Sequence, residues 1–165
     1  MKRKPIIGVM GPGKEASGEV IKSATQLGEL IASENWITLS GGIASGVMEA
    51  VTKGAKNNSG LTVGILPRTE SEIADGIDVP IITNMSSARN NINALSCDVM
   101  VAVGIDTGTT TEIAFALSSL ANKPVILLNC TELGVSFFKS LREELVHTAK
   151  NPKEAINITR QLLNK

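Results

Sequence analysis

The chain has 165 residues, 42% of them hydrophobic, which is enough for one domain with a buried core. Lysine plus arginine equals aspartate plus glutamate at 16 each, so the chain lacks the net positive charge typical of proteins that bind nucleic acids. Three phenylalanines, one tryptophan and no tyrosine also leave little aromatic surface for stacking on bases, and we expect no nucleic-acid partner.

The N-terminal segment MKRKPIIGVMGPG places basic residues before an apolar run, as a signal peptide does. The run is too short for that role and is interrupted by Gly8, Gly11 and Pro12, so we interpret it as a first strand. We also find no run of roughly 18 apolar residues that would predict a membrane span. With only two cysteines, the chain is predicted to be cytoplasmic, without a membrane partner or a structural disulfide.

Short apolar runs alternate with helical patterns along the chain. The runs are rich in β-branched residues and bounded by glycine, proline, asparagine or aspartate, which is typical of buried strands. The predicted strands are 5–10, 36–40, 61–66, 79–83, 98–103 and 123–128, with a weaker one at 145–149. The predicted helices are 17–34, 45–57, 87–96 and 110–121, and a last helix begins at Asn151-Pro152-Lys153-Glu154.

This alternation predicts the α/β fold class, with right-handed βαβ units in a mostly parallel sheet. We expect a single Rossmann-like, doubly wound domain over residues 1–165, with helices on both faces of the sheet. The longest irregular segment, 67–78, is acidic and is predicted to act as a flap over a site. Ligands of such sheets bind at the carboxyl ends of the strands, so the strand-to-helix junctions are the candidate sites.

The first junction, GPGKEASG, contains Gly11 and Gly13 as candidate ligand-binding residues. The third glycine, Gly18, comes five residues after Gly13 instead of three, so the spacing differs from that of a dinucleotide fingerprint. We therefore do not expect a dinucleotide. Lys14 lies either over a bound anion or in a solvated loop.

The second junction, SGGIASG, opens the helix predicted at 45–57. Its glycines allow the backbone to approach a ligand, and the helix start adds N–H groups and the positive end of the helix dipole. This arrangement predicts phosphate binding, and the alternative is a tight turn kept for helix–sheet packing. The candidate residues are Ser40, Gly41, Gly42 and Gly46.

The segment NMSSARNNINALSCD, 84–98, places Arg89 and Asn90 near the start of a predicted helix. The planar guanidinium of arginine suits bidentate recognition of phosphate, and no acidic residue is close to Arg89 in the sequence. We interpret Arg89 as a ligand-binding residue, with a plain surface arginine as the alternative.

The third glycine-rich junction, GIDTGTTTE, precedes the helix predicted at 110–121. Thr109 and Glu112 fit a capping box, in which Thr109 is the N-cap and Glu112 reaches back to its N–H. A cap does not require Gly108 or Thr110, however. Hydroxyl and N–H groups at a helix start also suit a phosphate or a sugar diol, and the spacing alone leaves both interpretations open.

The other residues with reactive side chains are dispersed. Cys97, Cys130 and His147 do not have the spacing of a zinc site, and we predict no metal site. The sequence also lacks a serine–histidine or cysteine–histidine pattern and a pattern for a pyridoxal-binding lysine.

Taken together, SGGIASGVMEA, VGILP, ARNNINALSCD, GTTTEIAFAL and KPVILL resemble the LOG-like (lysine-decarboxylase-like, SLOG) Rossmann family. The resemblance is closest to a small bacterial and archaeal branch that is also similar to molybdenum cofactor carrier proteins. LOG relatives cleave nucleoside 5′-monophosphates with a PGGxGTxxE motif and an upstream arginine. The resemblance implies that Gly108 and Thr109 bind phosphate, that Glu112 is the catalytic carboxylate and that Arg89 works with it. In such a reaction the carboxylate stabilises an oxocarbenium-like state or activates water.

The chain departs from this motif where it has Gly104-Ile105-Asp106 instead of Pro-Gly-Gly, and Asn90 instead of lysine after the arginine. Two like charges about 4 Å apart repel by roughly 1 kcal/mol in water and about 4 kcal/mol at an effective dielectric of 20. Asp106 therefore disfavours a phosphate unless its carboxylate points away or meets a cation. These departures weaken the enzyme interpretation more than the binding interpretation.

Two functional hypotheses follow. In the first, the chain binds a phosphorylated nucleotide-like ligand at the carboxyl end of the sheet, as a carrier or sensor. In the second, it is a nucleoside 5′-monophosphate phosphoribohydrolase that releases the base and ribose 5-phosphate. The ligand is expected to be a nucleoside monophosphate or a molybdopterin-type cofactor. The apolar faces of the helices at 17–34 and 110–121, and the dimers of LOG-like relatives, predict a homodimer or higher homo-oligomer.

Overall fold

The computed structural model describes residues 3–164, and within them seven strands form one parallel sheet. The strand order is β4-β3-β2-β1-β5-β6-β7, so the order reverses between β1 and β5. The strands are β1 Ile6–Met10, β2 Ile37–Ser40, β3 Thr62–Leu66, β4 Val79–Ile82, β5 Val99–Val103, β6 Val125–Leu128 and β7 Val146–Ala149.

This part of the chain has six α-helices, of which five lie between strands and the sixth follows β7. They are α1 Gly18–Ser33, α2 Gly46–Asn57, α3 Asn90–Ser96, α4 Thr107–Leu117, α5 Glu132–Arg142 and α6 Pro152–Leu163. Two short 3-10 turns, Ser86–Arg89 and Glu143–Leu145, precede α3 and β7. Within the described residues, no helix is both long and apolar enough to cross a membrane.

The sheet is covered by helices on both faces, and β5 shows how its sequence produces this. Side chains alternate along a strand, so Val99, Val101 and Val103 join the apolar cluster with α1, α2 and α6. Met100 and Ala102 join the cluster on the other face, with α3, α4 and α5. The predicted fold class, a Rossmann-like, doubly wound α/β sheet, is confirmed.

Helices α1 and α2 pack through two glycines at their crossing. A Cβ atom added at Gly54 would overlap the carbonyl oxygen of Thr25, and one added at Gly28 would overlap that of Val51. The close approach keeps the N-terminal end of α2 beside the β1–α1 loop, where Val47 N donates to the carbonyl oxygen of Pro12 at 3.0 Å. Both segments belong to the candidate site described below.

The strand predicted at 79–83 forms as β4, but the expectation that it is buried is wrong. It is an edge strand that pairs only with β3, and Val79 and Ile82 are 43% and 47% exposed. Pro80, which has no N–H to donate, suits an edge position. Apolar runs do not distinguish an edge strand from a central one, because that depends on which strands pair.

Helix α5 is absent from the predicted elements. Of its residues only Phe138 is buried, while Leu133, Phe137 and Leu141 are at least half exposed, so the apolar pattern does not follow one buried face. A local signal exists nevertheless, because the hydroxyl of Thr131 caps the helix by accepting from Gly134 N at 3.3 Å.

The acidic segment 67–78 is fastened to the loop between β2 and α2. Ala44 N donates to the carbonyl oxygen of Glu72, and Ala74 N donates to that of Gly42, at 2.9 and 2.8 Å. Only the start of the segment, Pro67 and Arg68, lines the site cavity. Of the segment predicted to be a flap, therefore, these two residues lie at the cavity and the rest does not line it.

Candidate functional site

A cavity of about 430 Å³ lies at the carboxyl ends of β1, β2, β3 and β5. It lies beside the reversal of strand order between β1 and β5, where the connections leave in opposite directions and open a crevice. Its lining residues are Met10, Gly11, Gly13, Gly41, Met48, Pro67, Arg68, Ser86, Ser87, Arg89, Asn90, Asp106, Gly108, Thr109 and Glu112.

The structure brings most of the predicted site residues to this cavity. Those in its lining are Gly11, Gly13, Gly41, Arg89, Asn90, Gly108, Thr109 and Glu112. Ser40, Gly42, Gly46 and Thr110 lie outside the lining. Lys14 is exposed and is not among the lining residues either.

The predicted residues outside the lining shape the loops around it. The Ser40 hydroxyl accepts from Gly42 N at 3.2 Å, and Gly42 has a φ of +72°. Gly46 has a φ of +55°, and a side chain there would overlap the backbone of Pro12 and Gly13. Both glycines adopt a conformation that other residues rarely tolerate. The Thr110 hydroxyl donates to the carbonyl oxygen of Asp106 at 2.7 Å.

The start of α4 differs from the predicted capping box. Asp106 is the N-cap, and its carboxylate accepts from Thr109 N at 2.7 Å, so the helix begins at Thr107. The expectation that Thr109 is the cap and that Glu112 reaches back to it is therefore wrong. Aspartate is as good an N-cap as threonine, and it lies earlier in the chain. This bond directs one carboxylate oxygen of Asp106 to its own helix.

Arg89 is buried beneath the cavity without hydrogen bonds at two of its nitrogen atoms. The residue is only 7% exposed, and its Nε and Nη1 have no hydrogen-bond partner among the described residues. The guanidinium lies against the backbone of Gly41, where an added Cβ atom would be 2.5 Å from Nη1. Thr109 Oγ1, also in the cavity lining, is buried and unpartnered as well. Such donors are costly to bury unless they meet a partner.

Glu112 faces Arg89 from one turn inside α4. Its Oε1 accepts from Asn93 Nδ2 at 2.6 Å and lies 3.7 Å from Arg89 Nη1. The second distance allows charge attraction but is too long for a hydrogen bond. Glu112 is 6% exposed, so its carboxylate is almost completely removed from water.

Burial dominates the protonation of this pair. Desolvation raises the pKa of Glu112 to about 7, although the Asn93 hydrogen bond and the charge of Arg89 favour the ionised carboxylate. The negative charge of Asp106 raises it further. Desolvation likewise lowers the pKa of Arg89, partly offset by Glu112. Glu112 can therefore gain or lose its proton near neutral pH.

Replacing Glu112 with glutamine is expected to change how stability depends on pH. The pKa rises from 4.5 to about 7 on folding, so the folded state holds this proton more tightly than the unfolded state. The contribution of Glu112 therefore falls by about 3 kcal/mol as the pH rises from about 4.5 to about 8. Because glutamine stays neutral, Glu112→Gln is expected to match the wild type near pH 4.5 and to be more stable near pH 8. Urea unfolding of both proteins at the two pH values measures this, and a difference that does not grow with pH would contradict it.

Several lining residues lie outside the predicted set, as does Asn93, which orients Glu112. Asn93 lies four residues after Arg89 in the same helical segment, and this i, i+4 spacing was an available signal. Met10, Met48, Arg68, Ser86 and Ser87 carry no comparable local signal. They reach the cavity because different strands and helices end at the same edge of the sheet.

Asn90 joins the two helical segments that form the site. Its Nδ2 donates to Thr111 Oγ1 at 2.9 Å and to the carbonyl oxygen of Gly108 at 3.5 Å. These bonds fix the start of α3 against the start of α4. Asn90 therefore positions α3 against α4.

Solved structures with this arrangement include two that cover nearly the whole chain. The molybdenum cofactor binding protein of the phototrophic bacterium Rippkaea orientalis is 47% identical over 99% of each chain, with a TM-score of 0.94. The molybdenum cofactor carrier protein of Chlamydomonas reinhardtii is 49% identical over 99% of this chain and 100% of its own, also with a TM-score of 0.94. An uncharacterized protein of Archaeoglobus fulgidus is 46% identical over 67% of this chain and 72% of its own.

The model of the SLOG cluster4 family matches residues 4–156. The match covers every strand and nearly all of the described part of the chain. It confirms the resemblance stated from the glycine-rich junctions and the ARNNINALSCD segment. The chain therefore belongs to the SLOG cluster4 family.

Proposed function

We propose that this member of the SLOG cluster4 family binds a phosphorylated small molecule, of the molybdopterin or nucleotide type, and carries it without turning it over. The observation that carries the proposal is the buried and unsatisfied guanidinium of Arg89. Its Nε and Nη1 have no hydrogen-bond partner among the described residues, and Arg89 lines the cavity. A phosphate or another oxyanion supplies the acceptors that these donors lack.

The surroundings of Arg89 support an oxyanion, although the Asp106 carboxylate, which also lines the cavity and accepts from Thr109 N, opposes one. Helix α4 begins at the cavity, where Thr109 brings an unpartnered hydroxyl and Gly108 leaves the backbone accessible. The start of a helix carries partial positive charge, which favours an anion. At or below pH 7 a protonated Glu112 removes one negative charge, so Arg89 attracts the anion with less competition.

The comparisons support the identity of the cargo. Two proteins that are 47% and 49% identical over nearly the whole chain are named for binding or carrying the molybdenum cofactor. Molybdopterin carries a phosphate and a pterin ring. A phosphate would supply the acceptors that Nε and Nη1 of Arg89 lack, and this match is the reason to extend the carrier role to this chain.

A carrier fits the position of Glu112 better than a hydrolase does. Its Oε1 is occupied by Asn93 Nδ2 and faces Arg89, and the residue is buried. A carboxylate that stabilises a ribosyl cation or activates water must instead face the reacting carbon. One observation favours the phosphoribohydrolase alternative: Glu112 lines the cavity with a pKa of about 7, which suits acid–base chemistry.

Free-base release distinguishes a carrier from a hydrolase. The purified protein is incubated with AMP, GMP, CMP, UMP and IMP, and bases are separated by chromatography. We expect release at the same background rate from the wild type and from Glu112→Gln. Release by the wild type that disappears in Glu112→Gln would overturn the carrier proposal and identify the base. Binding is measured on the same samples by calorimetry, so that absence of turnover is not confused with absence of a ligand.

A further inference from the structure

A second cavity, of about 610 Å³, lies beside the first at the same edge of the sheet. It opens at the carboxyl ends of β1, β5 and β6, and its lining is mainly apolar. The apolar part comes from Pro12, Val20, Ile105, Leu133, Phe137 and Phe138. Its volume lies within the range of small-molecule sites, roughly 300–1,000 Å³.

The two cavities share their dividing wall. In the β1–α1 loop, Gly11 and Gly13 line the first cavity and Pro12 lines the second. In the β5–α4 turn, Asp106 and Gly108 line the first while Ile105 lines the second. Neighbouring residues are only about 3.8 Å apart, so the wall is about one backbone thick. The two cavities are therefore adjacent.

Ile105 contributes an apolar side chain to the second cavity. The Cδ1 atom of Ile105 lies against Gly134 of α5, where an added Cβ atom would be only 2.7 Å away. Ile105 thus places apolar surface beside Asp106, which lines the first cavity.

The rings of Phe137 and Phe138 form the side of the second cavity that α5 contributes. Their centroids are 5.2 Å apart at an interplanar angle of 68°, an edge-to-face arrangement. Phe138 is buried, whereas Phe137 is 53% exposed. Phe137 therefore has free ring surface on which a planar group can stack.

Two polar side chains in the lining of this cavity, Glu15 and Asn129, offer hydrogen-bond acceptors. The hydroxyls of Ser17 and Thr131 are used as helix caps. Glu15 brings an exposed carboxylate to the lining, and the Oδ1 of Asn129 has no hydrogen-bond partner among the described residues. Carboxylate and amide oxygens are acceptors, so the matching group presents N–H donors along its edge.

We infer that the second cavity is the subsite for the planar heteroaromatic end of the ligand, specifically a ring with N–H donors on its edge. The 2-amino-4-oxopyrimidine ring shared by guanine and the pterins has this chemistry. The inference rests on the proposed function, because it assigns the other end of the same ligand. Phe137 and Ile105 contact the faces of the ring, and Glu15 accepts from its edge.

The test compares a ring with phosphate, a phosphate alone and a ring alone. Calorimetry measures the affinities of GMP, ribose 5-phosphate and guanosine for the wild type, Phe137→Ala and the matched control Leu141→Ala. Leu141 lies one turn further along α5 with 50% exposure and outside the cavity lining. We expect Phe137→Ala to weaken GMP and guanosine about tenfold, since stacking contributes roughly 1–3 kcal/mol. Ribose 5-phosphate is expected to be unaffected, and Leu141→Ala to change none of the three.

The recognition of the ring edge has its own comparison. Adenine presents an acceptor at the ring nitrogen where guanine presents a donor, so the wild type is expected to prefer GMP to AMP. Glu15→Gln is expected to reduce this preference. An unchanged preference would remove Glu15 from the inference, and equal binding of AMP and GMP by the wild type would overturn the selection for donors.

The outcomes separate the subsite from the proposed function. If ribose 5-phosphate binds and Phe137→Ala behaves like Leu141→Ala, the subsite is wrong and the proposed function stands. If guanosine binds in a way that depends on Phe137 and ribose 5-phosphate does not bind, the subsite stands and the phosphate site fails. Binding of none of the three probes overturns both. An assembly that dissociates in Phe137→Ala, measured by light scattering, would show that a second copy covers this cavity, and would also overturn the inference.

Discussion

Replacing Arg89 with methionine is expected to weaken binding of GMP and ribose 5-phosphate by about 100-fold. A hydrogen bond from a charged group contributes about 1.5–3 kcal/mol, and Arg89 has two buried nitrogen atoms without another partner. Methionine has a similar length but neither charge nor N–H groups. Calorimetry measures the loss, and wild-type affinity in Arg89→Met would contradict the proposed anion site.

The control for this experiment is Arg68, which lines the mouth of the same cavity. Arg68 is exposed, and its Nε already donates to the Ser86 hydroxyl at 3.3 Å. Water screens its charge, so Arg68→Met is expected to weaken binding only a few-fold, or roughly 1 kcal/mol. Removing Arg89 also leaves Glu112 without its cation, which is costly for a buried charge. In the double variant Arg89→Met, Glu112→Gln neither position is charged, so no buried charge is left without its partner. If this variant is folded and still binds weakly, the lost affinity does not arise from misfolding.

Replacing Gly54 with alanine is expected to lower the free energy of unfolding by about 3 kcal/mol. The new Cβ atom would overlap the carbonyl oxygen of Thr25, which belongs to the backbone of α1 and cannot rotate away. Helices α1 and α2 must then separate, although alanine favours a helix more than glycine does. For a chain of this size, thermal unfolding is expected to shift downward by about 10 °C.

Gly18→Ala is the matched control, because it makes the same chemical change in α1 at a position with open space. Nothing lies within 4 Å of a Cβ atom added at Gly18. We expect this variant to equal or slightly exceed the wild type, by up to about 1 kcal/mol. If Gly54→Ala were as stable as Gly18→Ala, the glycine crossing would not determine the distance between α1 and α2.

The crossing matters for function because α2 contributes to the site. Gly46 opens this helix against the backbone of Pro12 and Gly13, and Met48 lines the cavity from the same turn. A helix displaced at Gly54 moves these residues relative to Gly11 and Gly13. We therefore expect Gly54→Ala to lower ligand affinity as well as the free energy of unfolding.

The fold class was predictable from the sequence because its signals are local. Strand β5, VMVAV, is apolar at every position, as a strand covered on both faces must be, and all five of its residues are buried. The helix predicted to open at Asn151 is α6, capped by the side chain of Asn151. Strand β4 and helix α5 show the limit of these signals. Their environment depends on which elements pack against them, and their own residues do not specify it.

The candidate site divides in the same way. Local sequence selected Arg89, the family resemblance added roles for Gly108 and Glu112, and these three residues line one cavity. The cap at Asp106 also had a local signal, but a competing residue three positions later offered an equally good pattern. The roles of Ser40 and Gly46 in loop packing could not be separated from ligand binding by sequence, because glycine-rich turns serve both purposes.

The sequence by itself was sufficient to predict the parallel sheet and the edge at which the candidate site lies, because periodicity and turn residues act within a few positions. Its motifs were sufficient to predict the family. Only the tertiary structure decided the protonation and the hydrogen bonding of the charged side chains at that edge. Glu112 meets Asn93 and Arg89, which lie 19 and 23 positions away, and their packing excludes water from all three side chains. Desolvation depends on that three-dimensional packing and raises the pKa of Glu112. The same packing leaves Nε and Nη1 of Arg89 without a hydrogen-bond partner among the described residues.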